Sequence, residues 1–478
     1  MARRTKIVAT LGPATDEPGV LEQLVVAGVN VFRLNFSHGT AADHSQRAAQ
    51  VRELANKNET WVALLGDLQG PKIRIQNFAA GPIALKSGQT FALDAALQSE
   101  AGNETEVGID YKELPSFCKP GDTLVLDDGR IRLNVDDVSA TRVNCSVVMP
   151  GILSNKKGIN RLGGGLAAPA LTEKDFADMQ TAADIGVDYI AVSFPSKAEE
   201  IVQARDHMRK LKSHAYIIAK IERAEAVASK KLLDDIINAA DAIMVARGDL
   251  GVEIGDAELI GIQKYMIKRA RQLNRCVITA TQMMESMIES PLPTRAEVFD
   301  VANAVLDRSD AVMLSAETAA GKYPLAAVEA MARTCIGAEK QPSIRRSGYR
   351  MDREFERIDE AIAMSTMFAA NHLEGVAAII CLTESGSTPL WVSRLSSGLP
   401  IYAFSRHAHA RRRVALYRGV TPIPFEAQEH AGEHLYPAAI AELQRRKLVK
   451  TGDYVLLTKG SLTGKHGGTD SLKILTVQ

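Results

Sequence analysis

One arrangement of apolar and polar positions recurs along most of the chain. A short run rich in β-branched residues ends in a polar or glycine-bearing step, and a stretch follows in which apolar residues return every three or four positions. The runs are KIVATLG, NVFRLNFS, WVALLGD, YIAVSFP, YIIAKIE, AIMVARGD, CVITATQ and AVMLSAE. Stretches such as GVLEQLVVAG, DHSQRAAQVRELANK and AEEIVQARDHMRKLK carry the helical period between them. Strands alternating with helices predict a parallel sheet, because each parallel strand needs a crossover to return. Eight such units predict an α/β fold closed into a (β/α)8 TIM barrel.

The alternation breaks once, after the third run. From about residue 70 to 168 the period becomes two, in KIRIQNF, TFALDA, TLVLDDGRIRLNV and RVNCSVVM, with KSGQ, KPGD and DDGR supplying turn chemistry. This predicts an inserted all-β, barrel-like domain at 70–168 that returns through the Gly-rich hinge NRLGGGLAAPA, splitting the barrel into 1–69 and 169–342. Residues 341–357 read as a polar linker. Beyond it AIAMSTMFAANHL, VAAIICLT, PIYAFS, YVLLTKG and LKILTV predict a C-terminal α/β open-sheet domain over 343–478.

Composition narrows the function by exclusion. Lys+Arg equals Asp+Glu at 57 each, so no global field recruits nucleic acid or an acidic membrane, and an anionic ligand must be held by local clusters. The five cysteines are scattered and never in CxxC spacing, which predicts reduced thiols and a cytoplasmic setting. Gly12-Pro13 and Asp16 interrupt the basic N-terminus before any signal-peptide core, and no run approaches the roughly 18 apolar residues of a membrane span. Neither a P-loop nor HExxH occurs, and GGGLAAP follows no strand, so it reads as a linker and not a dinucleotide loop.

Chemistry is expected at the C-terminal ends of the barrel strands, and those ends are unusually charged. Arg33, Asn35, Ser37 and His38 end the second run, Asp67 the third, Lys220 and Glu222 the fifth. Arg247, Gly248 and Asp249 end the sixth, Thr281 and Gln282 the seventh, Ser315 and Glu317 the eighth. A buried charge is costly unless it is paired or meets a ligand, and so many on one rim point to a ligand. Two-residue spacing puts Lys220 and Glu222 on one side of their strand. Glu222 and Asp249 end neighbouring strands, and two carboxylates plus substrate oxygens suit Mg²⁺ (or Mn²⁺). Gly248 lets an anion approach backbone N–H groups, Lys220 supplies a point charge and Arg33 a planar fork. A metal, a lysine and two arginines around one spot describe phosphoryl transfer.

With these residues in view, KIVATLGPAT, FRLNFSHG, GDLQGPKIR, NKKGIN, AKIER, MVARGDLGVEI, TATQMMESM and MLSAETAAGKYP resemble pyruvate kinase from end to end. The resemblance implies that phosphoenolpyruvate gives its phosphoryl group to ADP, yielding pyruvate and ATP, in a homotetramer. It implies Mg²⁺ at Glu222 and Asp249, and Lys220 on the phosphoryl group in flight. Arg33, Gly248, Asp249 and Thr281 would contact phosphoenolpyruvate, with Thr281 by the enolate face. Asn35, Phe36, Ser37 and His38, with Arg74 and Lys157 on a closing lid, would line the nucleotide side. A metal-dependent aldolase or lyase is the rival reading, and it has no use for Lys157 or a nucleotide lid.

Two features go further. In AAIICLTESGST a strand runs into a hydroxyl- and glycine-rich loop and then a helix near Pro389, so Thr383, Ser385, Gly386, Ser387 and Thr388 form a phosphate cradle over which KGSLTGKHGGTD can close. Pyruvate kinases use this region for phosphorylated effectors. The family's K⁺ pocket would map to Asn35, Ser37, Asp67 and Leu68. K⁺-dependent members carry Thr-Lys after the aspartate and a glutamate where this chain has Lys72, so a tethered ammonium beside Asp67 is expected to replace K⁺.

Overall fold

The computed structural model describes residues 3–166, 168–344, 354–395, 397–430, 432–461 and 468–478. Each of the eight apolar runs forms a parallel strand: Lys6–Thr10, Val31–Asn35, Ala63–Asp67, Tyr189–Val192, Tyr216–Ile221, Ala242–Ala246, Cys276–Ala280 and Ala311–Leu314. In that order they close a barrel, with the first strand paired to both the second and the eighth. Alternate residues face opposite sides of each strand. Ile7 and Ala9 pack outward against the helices, while Val8, Leu65, Ile218, Met244 and Ile278 fill the interior. That interior core continues through Tyr189 into the C-terminal domain, where the tyrosine hydroxyl donates to the Arg413 carbonyl at 2.7 Å.

Between the third and fourth barrel strands the chain builds a six-stranded sheet and a two-stranded one, with a single helical turn at Leu114–Phe117. Pairing between strands there is antiparallel except between Thr90–Asp94 and Glu106–Gly108, with one further parallel bridge between Phe78 and Gly102. The return to the barrel runs through Gly163, Gly164 and Gly165 at φ of 86°, 77° and 93°. Side chains rarely adopt that region, so the glycine run is a backbone requirement of this connection.

The C-terminal domain is a five-stranded sheet, parallel except for its last strand, Thr469–Thr476. One strand, Val420–Pro424, lies beyond those expected from the sequence. Its two prolines argue against a central strand, and it sits at the sheet edge, where a missing N–H costs little. The helix after the hydroxyl-rich loop spans Ser387–Arg394, capped by Gly386 at φ 89°. Its last residue inserts Arg394 beneath the barrel, donating to Asp310 at 2.8 Å with both side chains about 1% exposed. The late loop expected to close over the cradle falls largely on residues 462–467, and much of the linker on 345–353, both outside the described residues.

Candidate active site

Register brings the charged strand ends together. The second and third strands pair Asn35 with Asp67, and Arg33, two residues earlier, reaches forward to donate from Nε to Asp67 Oδ2 at 2.6 Å. Its Nη1 also donates to Thr10 Oγ1 at 3.2 Å. Lys220 is more tightly held than a mobile point charge. Its Nζ lies 3.0 Å from Glu222 Oε1 and 3.2 Å from Asp67 Oδ1, and donates to Ser193 Oγ at 2.6 Å. The two-residue spacing thus places Lys220 and Glu222 on one side, as expected.

These contacts set the charges. Burial pushes the Asp67 carboxyl up, but Lys220 and Arg33 outweigh it and hold the group below its ordinary range. Burial pulls the Lys220 ammonium down, and Asp67 with Glu222 more than restores it. Glu222 is the exception: burial raises its pKa, Lys220 opposes, and the nearby charges of Asp249 and Asp67 add to the rise. A carboxylate pushed up by a second carboxylate is poised to gain from a divalent cation, which relieves both at once. Glu222 and Asp249 therefore fit a hard metal ion with few protein ligands. Among the described residues no group of three or more His, Cys, Asp and Glu side chains is placed to hold a metal. A metal held by these two carboxylates would need water and substrate oxygens to complete its shell.

Thr281 and Gln282 end the seventh strand at φ of 67° and 54°. Left-handed backbone at a β-branched residue is strained and needs support. Arg247 provides it. Its Nε donates to the Ala280 carbonyl at 3.1 Å and its Nη2 to the Thr281 carbonyl at 2.5 Å, while Nη1 pairs with Asp300 at 2.6 Å. The expectation of a second arginine over the ligand is therefore corrected: Arg247 is committed to this scaffold. Thr281 Oγ1 accepts from the Gly248 N–H at 2.9 Å, so that donor already has a partner. A Cβ at Gly248 would meet only ordinary contacts, the nearest 3.7 Å away at Thr281.

Lys72 requires the main correction. Its Nζ lies 3.0 Å from Asp249 and 3.8 Å from Asp128, not beside Asp67, which Arg33 and Lys220 already occupy. Gly70, at φ 65°, sits against Ser193, where a Cβ would come within 2.7 Å of that residue's own. Asn35, Ser37, Asp67 and Leu68 do gather at one place. Ser37 N–H donates to Asn35 Oδ1 at 3.2 Å, and the Leu68 carbonyl accepts from Ser193 Oγ at 2.7 Å. Phe36 packs edge-on against His44 with centroids 4.7 Å apart, and Lys174 donates to its carbonyl. The His38 N–H donates to the Asn35 carbonyl at 3.1 Å.

Arg74 and Lys157 lie together in the inserted domain, through the Arg74–Gly158 bridge. Their polar partners are Lys156 and Asp110 for Arg74 and Asp127 for Lys157, all in that domain. Glu317 stays out of the cluster and clamps the Met284 and Ser315 N–H groups. Ser193 is the residue that sequence reasoning missed, because an uncharged Ser-Phe-Pro end carries no obvious signal.

In the C-terminal domain Thr383, Ser385, Ser387 and Thr388 line a cleft of about 130 Å³ with Arg406 and Lys459. Thr383 Oγ1 accepts from Gly386 N–H at 2.9 Å, and Thr388 is buried against Thr469, their hydroxyls 2.5 Å apart.

Comparison with known proteins bears directly on this arrangement. The family model "Pyruvate kinase, barrel domain" matches residues 2–328, and "Pyruvate kinase, alpha/beta domain" matches 360–475. The chain is 58% identical to pyruvate kinase II of Salmonella typhimurium over 478 residues, covering 100% of this chain and 99% of that protein. It is 58% identical to the pyruvate kinase of Haemophilus influenzae over 96% of each. The crystal structure of a pyruvate kinase from Cryptosporidium parvum superposes with a TM-score of 0.91 at 32% identity, covering 100% of this chain and 96% of that one.

Proposed function

This chain belongs to the pyruvate kinase family, and from that premise we propose how its residues share the transfer of a phosphoryl group from phosphoenolpyruvate to ADP. The reaction, the last step of glycolysis, yields pyruvate and ATP. The observation that carries the assignment is the fully charged Lys220, held between Asp67, Glu222 and Ser193 on the rim that also presents Arg33 and Asp249. Lys220 donates to the phosphoryl oxygens as they leave the enolate, and Arg33, already oriented by Asp67, binds the same anion. Glu222 and Asp249 would hold Mg²⁺ or Mn²⁺, which supplies positive charge to the substrate oxygens. Thr281 lies toward the enolate carbon that must receive a proton, delivered through water. Gly248 and Asp249 shape the same pocket.

Asn35, Phe36, Ser37 and His38 form the barrel side of the nucleotide site. Residues 70–168 act as a lid that brings Arg74 and Lys157 over it and excludes water. Asn35, Ser37, Asp67 and Leu68 are what remains of a monovalent-cation pocket. A phosphorylated sugar or nucleoside monophosphate binds the cradle Thr383–Thr388 and activates the enzyme, which works as a cytoplasmic homotetramer. Among the described residues no helix is long and apolar enough to cross a membrane. The test is pyruvate formation with ADP and Mg²⁺ each withheld in turn. Loss in both cases, with Mn²⁺ restoring turnover only where Mg²⁺ was withheld, supports the assignment, and release of pyruvate without ADP overturns it.

A further inference from the structure

Glu253 is buried, 6% exposed, and plays no part in the chemistry above. It lies one turn after Asp249 on the helix Arg247–Ile254, so both residues share a face. Its Oε2 accepts from the Ala224 N–H at 2.7 Å, two residues beyond Glu222. Its Oε1 accepts from Asn160 Nδ2 at 3.3 Å, on the last strand of the inserted domain. The Glu253 carbonyl accepts from the N–H of Gly163, the first hinge glycine, at 2.7 Å. One residue thus joins the helix bearing one candidate metal carboxylate, the turn behind the other, and the segment through which the inserted domain returns.

We propose that Glu253 is a positioning residue that sets the spacing of Glu222 and Asp249 and seats the inserted domain on the barrel at the same time. The inference rests on the reading of that domain as a nucleotide lid. A cavity of about 20 Å³ beside the carboxylate, lined by Pro71, Lys72, Ile159, Phe194 and Arg223, has room for a single water. Burial raises the Glu253 pKa to about 7; the Ala224 N–H, Asn160 and Arg223 oppose this and Glu225 adds to it. With the hinge open the group meets water and regains its ordinary value near 4.3. The seated state therefore binds more protons between those values, and rising pH favours the open state.

Three variants test this on the full-length enzyme. Glu253→Ala should raise the KM for ADP about tenfold and weaken Mn²⁺ binding, read from the paramagnetic resonance of free Mn²⁺, by ten- to a hundredfold. Asn160→Ala should reproduce the change in KM for ADP and leave Mn²⁺ affinity alone. Glu253→Gln, which keeps an acceptor and cannot titrate, should hold both constants within about twofold. It should also abolish a rise in KM for ADP between about pH 5 and 7, levelling off above, that is expected of the parent enzyme. Unchanged Mn²⁺ affinity in Glu253→Ala overturns the metal-spacing role. If that variant does not fold, Asn160→Ala decides the lid role, and an unchanged KM for ADP overturns it. Arg74→Ala separates the two readings. If it raises the KM for ADP while Asn160→Ala and Glu253→Ala do not, the lid stands and Glu253 does not seat it; if none does, the lid itself fails.

Discussion

Lys220→Met removes the ammonium and keeps most of its volume, so its effect is almost entirely electrostatic. Two unit charges 3.0 Å apart attract by about 5 kcal/mol at an effective dielectric near 20, and the contact at 3.2 Å is worth nearly the same. Asp67 keeps Arg33 at 2.6 Å and stays ionised. Glu222 keeps only the Phe194 N–H at 2.8 Å, and burial with Asp249 then pushes it further up. On the proposed roles the variant therefore loses two things: the donor to the phosphoryl oxygens, and part of the charge on a carboxylate proposed to hold the metal.

Loss of one donor to developing charge costs about 3–4 kcal/mol, so kcat should fall by roughly a thousandfold. Phosphoenolpyruvate binding, followed by calorimetry at saturating Mg²⁺, should weaken far less, because Arg33 remains. A titration with Mg²⁺ separates the two losses. If excess metal restores turnover, Lys220 acts only by keeping Glu222 ionised. If turnover stays low at saturating metal, it acts on the phosphoryl group. Turnover within tenfold of the parent enzyme at ordinary Mg²⁺ would refute both.

Other outcomes follow from the same contacts. Replacing K⁺ by a large organic cation should hardly change turnover of the parent enzyme, whereas Lys72→Glu, which strips Asp249 of its partner, should create a K⁺ requirement; strong K⁺ activation of the parent enzyme sinks this reading. With Thr383, Ser385 and Thr388 all changed to Ala, turnover with and without a sugar phosphate should coincide, and surviving activation moves the effector site elsewhere. Arg394→Ala leaves Asp310 buried without its ion pair and should cost about 3–5 kcal/mol in denaturant unfolding, much of it recovered when Asp310→Asn is added.

The barrel was legible because its signal is repeated and local. Each strand is a short apolar run, each helix keeps its period, and eight repetitions leave little choice of topology. Strand ends were legible for a related reason. Once the strands are parallel, their C-terminal residues must share a rim, and a two-residue spacing settles that Lys220 and Glu222 face the same way. The strand Val420–Pro424 escaped because prolines normally exclude a strand, and only its place at the sheet edge makes them harmless.

What stayed hidden depended on contacts between distant segments. Nothing in RGD says that Arg247 turns to Asp300, on a helix that begins after the seventh strand, to brace a strained Thr281. Nothing in GDLQGPKIR says that Gly70 packs against Ser193 or that Lys72 reaches Asp249. Yet the charge argument survives the change of partner. On the rim Arg33, Lys72 and Lys220 stand against Asp67, Glu222 and Asp249, so the protein's own charges balance before any ligand arrives. A glutamate at position 72 would leave two cations against four carboxylates, and a free cation would have to make up part of the difference. On the proposed reading, Lys72 would bear on K⁺ dependence through the net charge of the whole rim, from Asp249, with no need of a contact with Asp67.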